Sequence, residues 1–160
     1  MAGLTHIGPD GRARMVDVGG KAVTDRSATA TGRIRMNRAT LDLAMSRTTK
    51  KGDPLAVAEL AGIMAAKRTA DFIPLCHPLP LTSVTVAIDA DDDACELVVT
   101  AIARTSARTG VEMEALTAVA GACLTLYDML KAVDKGMTIG GVELIEKSGG
   151  ASGDYRKDMA

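Results

Sequence analysis

Aromatic side chains are almost missing: the 160 residues include no tryptophan, one phenylalanine (Phe72) and two tyrosines (Tyr127 and Tyr155). The stacking platforms of single-strand nucleic-acid binders are therefore absent, and the core must be aliphatic. Excess charge is missing too, with 19 Lys and Arg against 20 Asp and Glu. No overall positive field draws the chain to nucleic acid or to a membrane surface, so any anion site must be local. The three cysteines, Cys76, Cys95 and Cys123, form no C-x-x-C pair. Their spacing suits a reducing compartment better than a disulfide framework. The first residues, MAGLTHIGPDGRARM, lack the apolar run of a signal peptide. The charge-free stretch from Ala115 to Tyr127 is shorter than the roughly 20 residues that cross a bilayer. The expectation is a cytoplasmic protein with no nucleic-acid partner and no membrane contact.

What is present is ordinary for a globular domain. Apolar residues make up 47% and charged residues 24% of the chain, which excludes disorder, collagen and coiled coil. A chain of this length buries about two-thirds of its unfolded surface and requires no disulfide or metal to hold a core. One domain over 1–160 is expected, with 1–14 and 151–160 as tails.

Along the chain, VTDRSATATGRIRM (23–36) interleaves charges with Thr, Ala and Ile and reads as a half-exposed strand. RTTKKGDP (47–54) is a loop in which Gly52 breaks the pattern, Asp53 is a good N-cap and Pro54 suits the first helical position. The spacing of Leu55, Ala58, Ala61, Gly62 and Ala65 predicts a helix over 54–68. Pro74, Pro78 and Pro80 then force an extended, rigid segment around IPLCHPLP. LTSVTVAID (81–89), an acidic turn and ELVVTAIART (96–105) predict a hairpin, 111–131 the longest helix and 137–145 a last strand. This order, βαββαβ, is the ferredoxin-like α+β arrangement: an antiparallel four-stranded sheet with two helices on one face.

Few side chains stand out for chemistry. His77 sits beside Cys76 between Pro74 and Pro78, where a rigid backbone positions a side chain at little entropic cost. Filling a turn is the plainer role, and Cys76 with His77 gives only two of the ligands that zinc requires. Glu112 and Glu114, two residues apart, lie on opposite sides of a helix, unless both precede it. The helix dipole alone would favour both. Glu114, Gly121, Thr125 and Asp128 share one side, and Asp128 with Lys131 forms an i, i+3 pair that could be merely exposed. Arg26, Lys51, Lys67, Lys131 and Lys147 each resemble surface charge, although Lys51 lies on a glycine loop at a helix start, where anions are attracted. No G-x-S-x-G, H-E-x-x-H or G-x-G-x-x-G occurs, and GGVELIEKS lacks the glycine a Walker A loop carries before its lysine.

Seven stretches in order carry a resemblance: MVDVGGK (15–21), KGD (51–53), AAKRT (65–69), IPLCHPLPLT (73–82), TGVEMEALTA (109–118), YDMLKAVDKGM (127–137) and KSGG (147–150). Over about Met15 to Gly153 the chain resembles the cyclic pyranopterin monophosphate synthase family, lyases of the second step of molybdenum cofactor biosynthesis. The resemblance implies a ferredoxin-like fold and conversion of 3′,8-cyclo-7,8-dihydroguanosine triphosphate to cyclic pyranopterin monophosphate, with release of pyrophosphate. It implies purine recognition by Leu75, Cys76, His77, Met113 and Glu114, and catalytic roles for Lys51, Asp128 and Lys131. Phosphate or ribose contacts fall to Asp17, Arg26, Lys67, Glu112 and Lys147. Ring opening and closure require proton transfers of the kind Lys, Asp, Glu and His perform. Lysines crowded among cations are expected to have lowered pKa values. No permanently bound cofactor is implied, and with no carboxylate cluster of cage size, Mg²⁺ is expected on the substrate's phosphates.

The family is a hexamer, a trimer of dimers. Glu114 and Lys131, 17 residues apart on one helix, would be separated by about 26 Å, so a site using both spans two chains. Two positions depart from the family pattern: Pro54 stands where relatives carry an aliphatic residue, and Ala151 where many carry lysine. Lys51, not Lys50, takes the catalytic register because Gly52 and Asp53 follow it. A nucleotide-sensing ferredoxin-like module and a structural oligomerisation protein are the rival readings, since fold alone does not give function.

Overall fold

The computed structural model describes residues 6–158. Its elements are β1 (Thr24–Arg35), α1 (Arg38–Met45), α2 (Pro54–Ala66), α3 (Thr69–Phe72), β2 (Leu81–Asp91), β3 (Glu96–Ala107), α4 (Glu112–Leu130), β4 (Thr138–Ser148) and β5 (Tyr155–Arg156). The sheet runs β2-β3-β1-β4-β5, and every neighbouring pair is antiparallel. The architecture is α+β and consistent with the ferredoxin-like arrangement, but the sheet has five strands and not the four expected. The fifth lies in the C-terminal stretch expected to be a tail. Tyr155 and Arg156 pair with Lys147 and Glu146, and the Lys157 N–H donates to the Ile145 carbonyl at 2.8 Å. A two-residue strand after a glycine-rich turn carries too little periodicity to be read from sequence.

Alternation along β1 and β3 decides where the helices pack. Ala28, Ala30, Gly32 and Ile34 face the same side as their register partners Ala103, Ala101, Val99 and Leu97, and these are the buried positions. The inner face of the sheet is thus mostly small side chains, and α4 lies close upon it. A Cβ on Gly32 would stand 2.5 Å from Val119 Cγ1 of α4. The two long helices touch each other just as closely. A Cβ on Gly121 would meet the Ala65 Cβ at 2.6 Å, and one on Gly62 the Ala118 carbonyl at 2.8 Å. With so few aromatics, burial comes from close approach of small residues around Leu55, Leu97, Leu126 and Leu130, all essentially inaccessible.

Local signals place the helix ends. The Asp53 carboxylate accepts from the Leu55 and Ala56 N–H groups at 2.9 and 3.2 Å, and Pro54 occupies the first turn of α2. Asn37 does the same for α1, its side chain accepting from Thr40 N–H at 2.8 Å. The sequence reading has no counterpart for α1 or for the four-residue α3. At 19 residues α4 is long and apolar enough to cross a membrane by length and composition alone, but Ala115, Ala118, Val119, Ala122, Cys123 and Leu126 along it are buried in the fold. It is a core helix with both ends at the surface, and the candidate residues cluster at those ends.

Candidate active site

At the N-terminal end of α4 a cavity of about 830 Å³ opens between three pieces of chain. The proline-bracketed segment contributes Leu75, Cys76 and His77, and the first turn of α4 contributes Glu112, Met113 and Glu114. The third wall is the N-terminal arm, including Val16 and Val18. The rigid segment is held by the Cys76 N–H, which donates to the Ile73 carbonyl at 3.1 Å. Glu112 and Glu114 reach one cavity although they are two residues apart, because the cavity caps the helix end and does not flank its side. Glu114 is only 4% exposed. Burial pushes its carboxyl above the usual range, and the neighbouring Glu112 charge adds to this. Burial, with the Glu114 charge behind it, likewise raises the Cys76 thiol.

A second cavity of about 230 Å³ adjoins the first. Its cations are Lys21, Arg26, Arg108 and Lys147, and its carboxylate is Glu112. Arg26 is aimed by its Nε, which donates to the Ala107 carbonyl at 3.0 Å. Lys147 Nζ meets Glu112 Oε1 at 2.8 Å, both side chains three-quarters buried. Gly149 and Gly150, at φ of +88° and +85°, carry the chain over Arg26, where a Cβ on Gly150 would run into the guanidinium. Ala151 lines this cavity without adding charge. Four positive side chains against one negative, beside an N-terminal helix end that no side chain caps, favour an anion of several charges.

The other end of α4 carries Lys51, Asp128 and Lys131. Lys51 Nζ donates to the Asp128 carboxylate at 3.0 Å and to its carbonyl at 2.8 Å, and Lys131 Nζ lies 2.8 Å from the same carboxylate. All three are exposed, so the ion pairs are solvated. Hydrogen bonds from Lys131 and then Lys51 hold the Asp128 carboxyl below its ordinary value, and the Asp128 hydrogen bond raises Lys131 above its own. For Lys131 this corrects the expectation of a lowered pKa: the Asp128 carboxylate beside it outweighs the neighbouring cation. The N-terminal end of α2 also differs from the anion site expected beside Lys51, because Asp53 already occupies its N–H groups.

Two predicted residues stand apart. Asp17 is exposed and lines none of these cavities; its carboxylate accepts from Gly19 N–H at 2.8 Å and shapes a turn. Lys67 is an exposed C-cap of α2 and lines none of them either. Lys21 and Arg108 carry no role in the sequence reading. Each is a lone cation, and only the folded chain brings β1, the β3–α4 connection, β4 and the N-terminal arm to one place. Among the described residues no group of three or more His, Cys, Asp and Glu is placed to hold a metal ion.

The two ends of α4 therefore hold different equipment, a partly apolar cavity with an anion pocket at one and a Lys-Asp-Lys cluster at the other. Comparison with known proteins gives the family. The chain is 60% identical over 153 residues to a cyclic pyranopterin monophosphate synthase of Parvibaculum lavamentivorans, covering 96% of each chain. It is 58% identical over 158 residues to one from Thermomicrobium roseum (99% of this chain, 95% of that one) and 57% identical over 155 to one from Cereibacter sphaeroides (97% and 98%). The family model for the MoaC family matches residues 15–150, a span that includes Lys51, His77, Glu112, Glu114, Asp128, Lys131 and Lys147; the chain belongs to the MoaC family.

Proposed function

We propose that this chain is a cyclic pyranopterin monophosphate synthase, a lyase of molybdenum cofactor biosynthesis. It converts 3′,8-cyclo-7,8-dihydroguanosine triphosphate to cyclic pyranopterin monophosphate and pyrophosphate. One observation carries the reading for this particular chain: a cavity with ample room for a purine nucleoside adjoins a cationic pocket, and Glu112 lines both. In that arrangement His77, Glu114 and the backbone of the Leu75–His77 segment face the base, and Arg26 and Lys147 face the phosphates. Mg²⁺ arrives on those phosphates and not on a protein-held site.

The reaction opens the imidazole ring, recloses it as a pterin and exchanges the phosphoanhydride bond between the α- and β-phosphates for a phosphoester bond to a sugar oxygen, with no net oxidation. Each step moves protons, which requires positioned acids and bases. Lys51, Asp128 and Lys131 are the groups suited to this, and none belongs to the N-terminal cavity. Glu114 and Lys131 are 17 residues apart on α4 and its C-cap, about 26 Å at 1.5 Å per residue. The working site is therefore composite, built from the N-terminal end of α4 in one chain and the C-terminal end in a partner. A dimer within a hexamer, working in the cytoplasm, accommodates this symmetry.

Turnover of the cyclic dihydroguanosine triphosphate tests the activity, and a sensing module would bind it without releasing pyrophosphate. Subunit mixing tests the composite site. Inactive Lys131→Ala and Glu114→Ala proteins, dissociated and reassembled together, should regain part of the activity, because some pairings restore one intact site. If each chain carried its own complete site, mixing would restore nothing.

A further inference from the structure

Four residues line both cavities at the N-terminal end of α4: Lys21, Thr109, Gly110 and Glu112. Lys21 is the only cation among them. Its place is set by the arm that carries it. Val16 and Val18 line the larger cavity while Asp17 between them is exposed. The chain then turns, with Asp17 accepting from Gly19 N–H at 2.8 Å and the Lys21 N–H donating to the Val18 carbonyl at 3.0 Å. The turn delivers Lys21 to the junction of the two cavities. No carboxylate among the described residues forms an ion pair with its ammonium, whereas Lys147 in the same pocket is already held by Glu112.

A purine nucleoside triphosphate laid across both cavities puts its base in the larger one and its terminal phosphates in the cationic one. The atom at the junction is then the α-phosphorus. We propose that Lys21 holds the α-phosphate there and stabilises the charge that develops as pyrophosphate departs, so the N-terminal arm is part of the catalytic site. This rests on the synthase reading above. In the step concerned, a sugar hydroxyl oxygen bonds to the α-phosphorus and the bond from that phosphorus to the bridging oxygen of the β-phosphate breaks. The electron pair leaves with pyrophosphate, which also takes up the hydroxyl proton, and nothing is oxidised or reduced. The α-phosphate is already charged in the ground state, so Lys21 contributes to binding, and because charge grows there as pyrophosphate departs it acts on kcat more than on KM. On this account Asp17 is a positioning residue that acts through the turn.

The test compares wild type, Lys21→Met and Lys21→Arg for turnover of the cyclic dihydroguanosine triphosphate, with kcat and KM separated. Calorimetry of guanosine triphosphate and of guanosine on the same proteins runs alongside. Lys21→Met should lose at least about tenfold in kcat/KM, mostly in kcat, and Lys21→Arg should recover the larger part. Guanosine affinity should be unchanged while guanosine triphosphate binds at least about fivefold more weakly to the Met variant. Turnover of Lys21→Met within twofold of wild type would overturn the proposal and leave the synthase reading standing. An equal loss of guanosine affinity would also overturn it, since a collapsed arm would then account for the defect. Failure of wild type to release pyrophosphate would overturn the synthase reading instead. In that case a selective loss of triphosphate affinity would still support the placement of Lys21, and no such loss would refute it.

Discussion

The two ends of α4 carry carboxylates with opposite fates. Glu114, in the first turn, is buried against the proline-bracketed segment and is pushed towards its neutral form. Asp128, in the last turn, is exposed between two lysines and is held ionised. Burial and partnership act in opposite directions on the same kind of group. The comparison shows what each end is ready for. The N-terminal end already gathers its carboxylates, His77 and cations around a cavity. The C-terminal end has its proton-transfer groups assembled but open to water, which screens their charges and would have to be excluded during chemistry. A partner chain that covers one end with the other would meet both needs at once.

The largest expected effect falls at the exposed end. Lys131→Ala should reduce the rate by at least about 10²-fold, the scale for removing a positioned acid or base. Its melting temperature should fall only slightly, since the side chain is exposed, truncation leaves no cavity and only a solvated ion pair with Asp128 is lost. Steady-state kinetics with a thermal melt on the same sample checks both halves. A variant that keeps near-normal turnover would remove the lysine from the mechanism and break the contrast between the ends.

Next in size is the helix that joins them. Gly121→Val should destabilise the fold by about 1–3 kcal/mol, the usual cost of overpacking. Its Cβ would lie 2.6 Å from that of Ala65, and α2 would have to move. Denaturant unfolding measures this directly. A neutral result would mean that α2 and α4 are not in the close contact described.

Much of this was legible before any coordinates. The alternation of β1, β2 and β3, the Asp53 cap and the length of α4 follow from patterns that local physics imposes, and the strands and long helices lie within one to three residues of the ranges read from sequence. The residue types at both ends of α4 were legible too, through the resemblance that Leu75–His77, Glu112–Glu114 and the 127–137 stretch carry. What sequence could not supply was which residues of distant segments meet. Lys21 and Arg108 look like surface charge until the N-terminal arm and the β3–α4 connection are brought together. The sign of the lysine shift depended on Asp128 standing between Lys51 and Lys131, a fact about three dimensions. β5 escaped because two residues have no period.

Smaller effects sharpen the comparison through pH. The Glu114 carboxyl has a raised value in the folded protein. A raised acid adds its full stability below the unfolded value, where it is neutral in both states, and that contribution is lost as pH rises through the folded value. Glu114→Gln is neutral throughout. The variant should therefore gain on wild type in melting temperature as pH rises from below the ordinary glutamate range to above neutrality. Melts at pH 4 and pH 8 decide it. A difference that stays constant across that range would mean Glu114 ionises freely and is not shielded by its cavity.

Asp128 should give the smallest change, with the opposite sign. A depressed acid contributes stability above its unfolded value, and the contribution disappears as pH falls through the lower, folded one. Asp128→Asn should thus be slightly less stable than wild type at pH 7 and no different once wild-type Asp128 is itself protonated in strong acid. Both lysine partners are exposed, so the pH 7 difference should shrink further in high salt. Melting curves of the two proteins at pH 7 in low and high salt, and again in acid, read out all three conditions. A loss in Asp128→Asn as large as that of Gly121→Val, or one insensitive to salt, would mean the cluster is buried in the working protein. The partner chain would then already cover this end before substrate arrives.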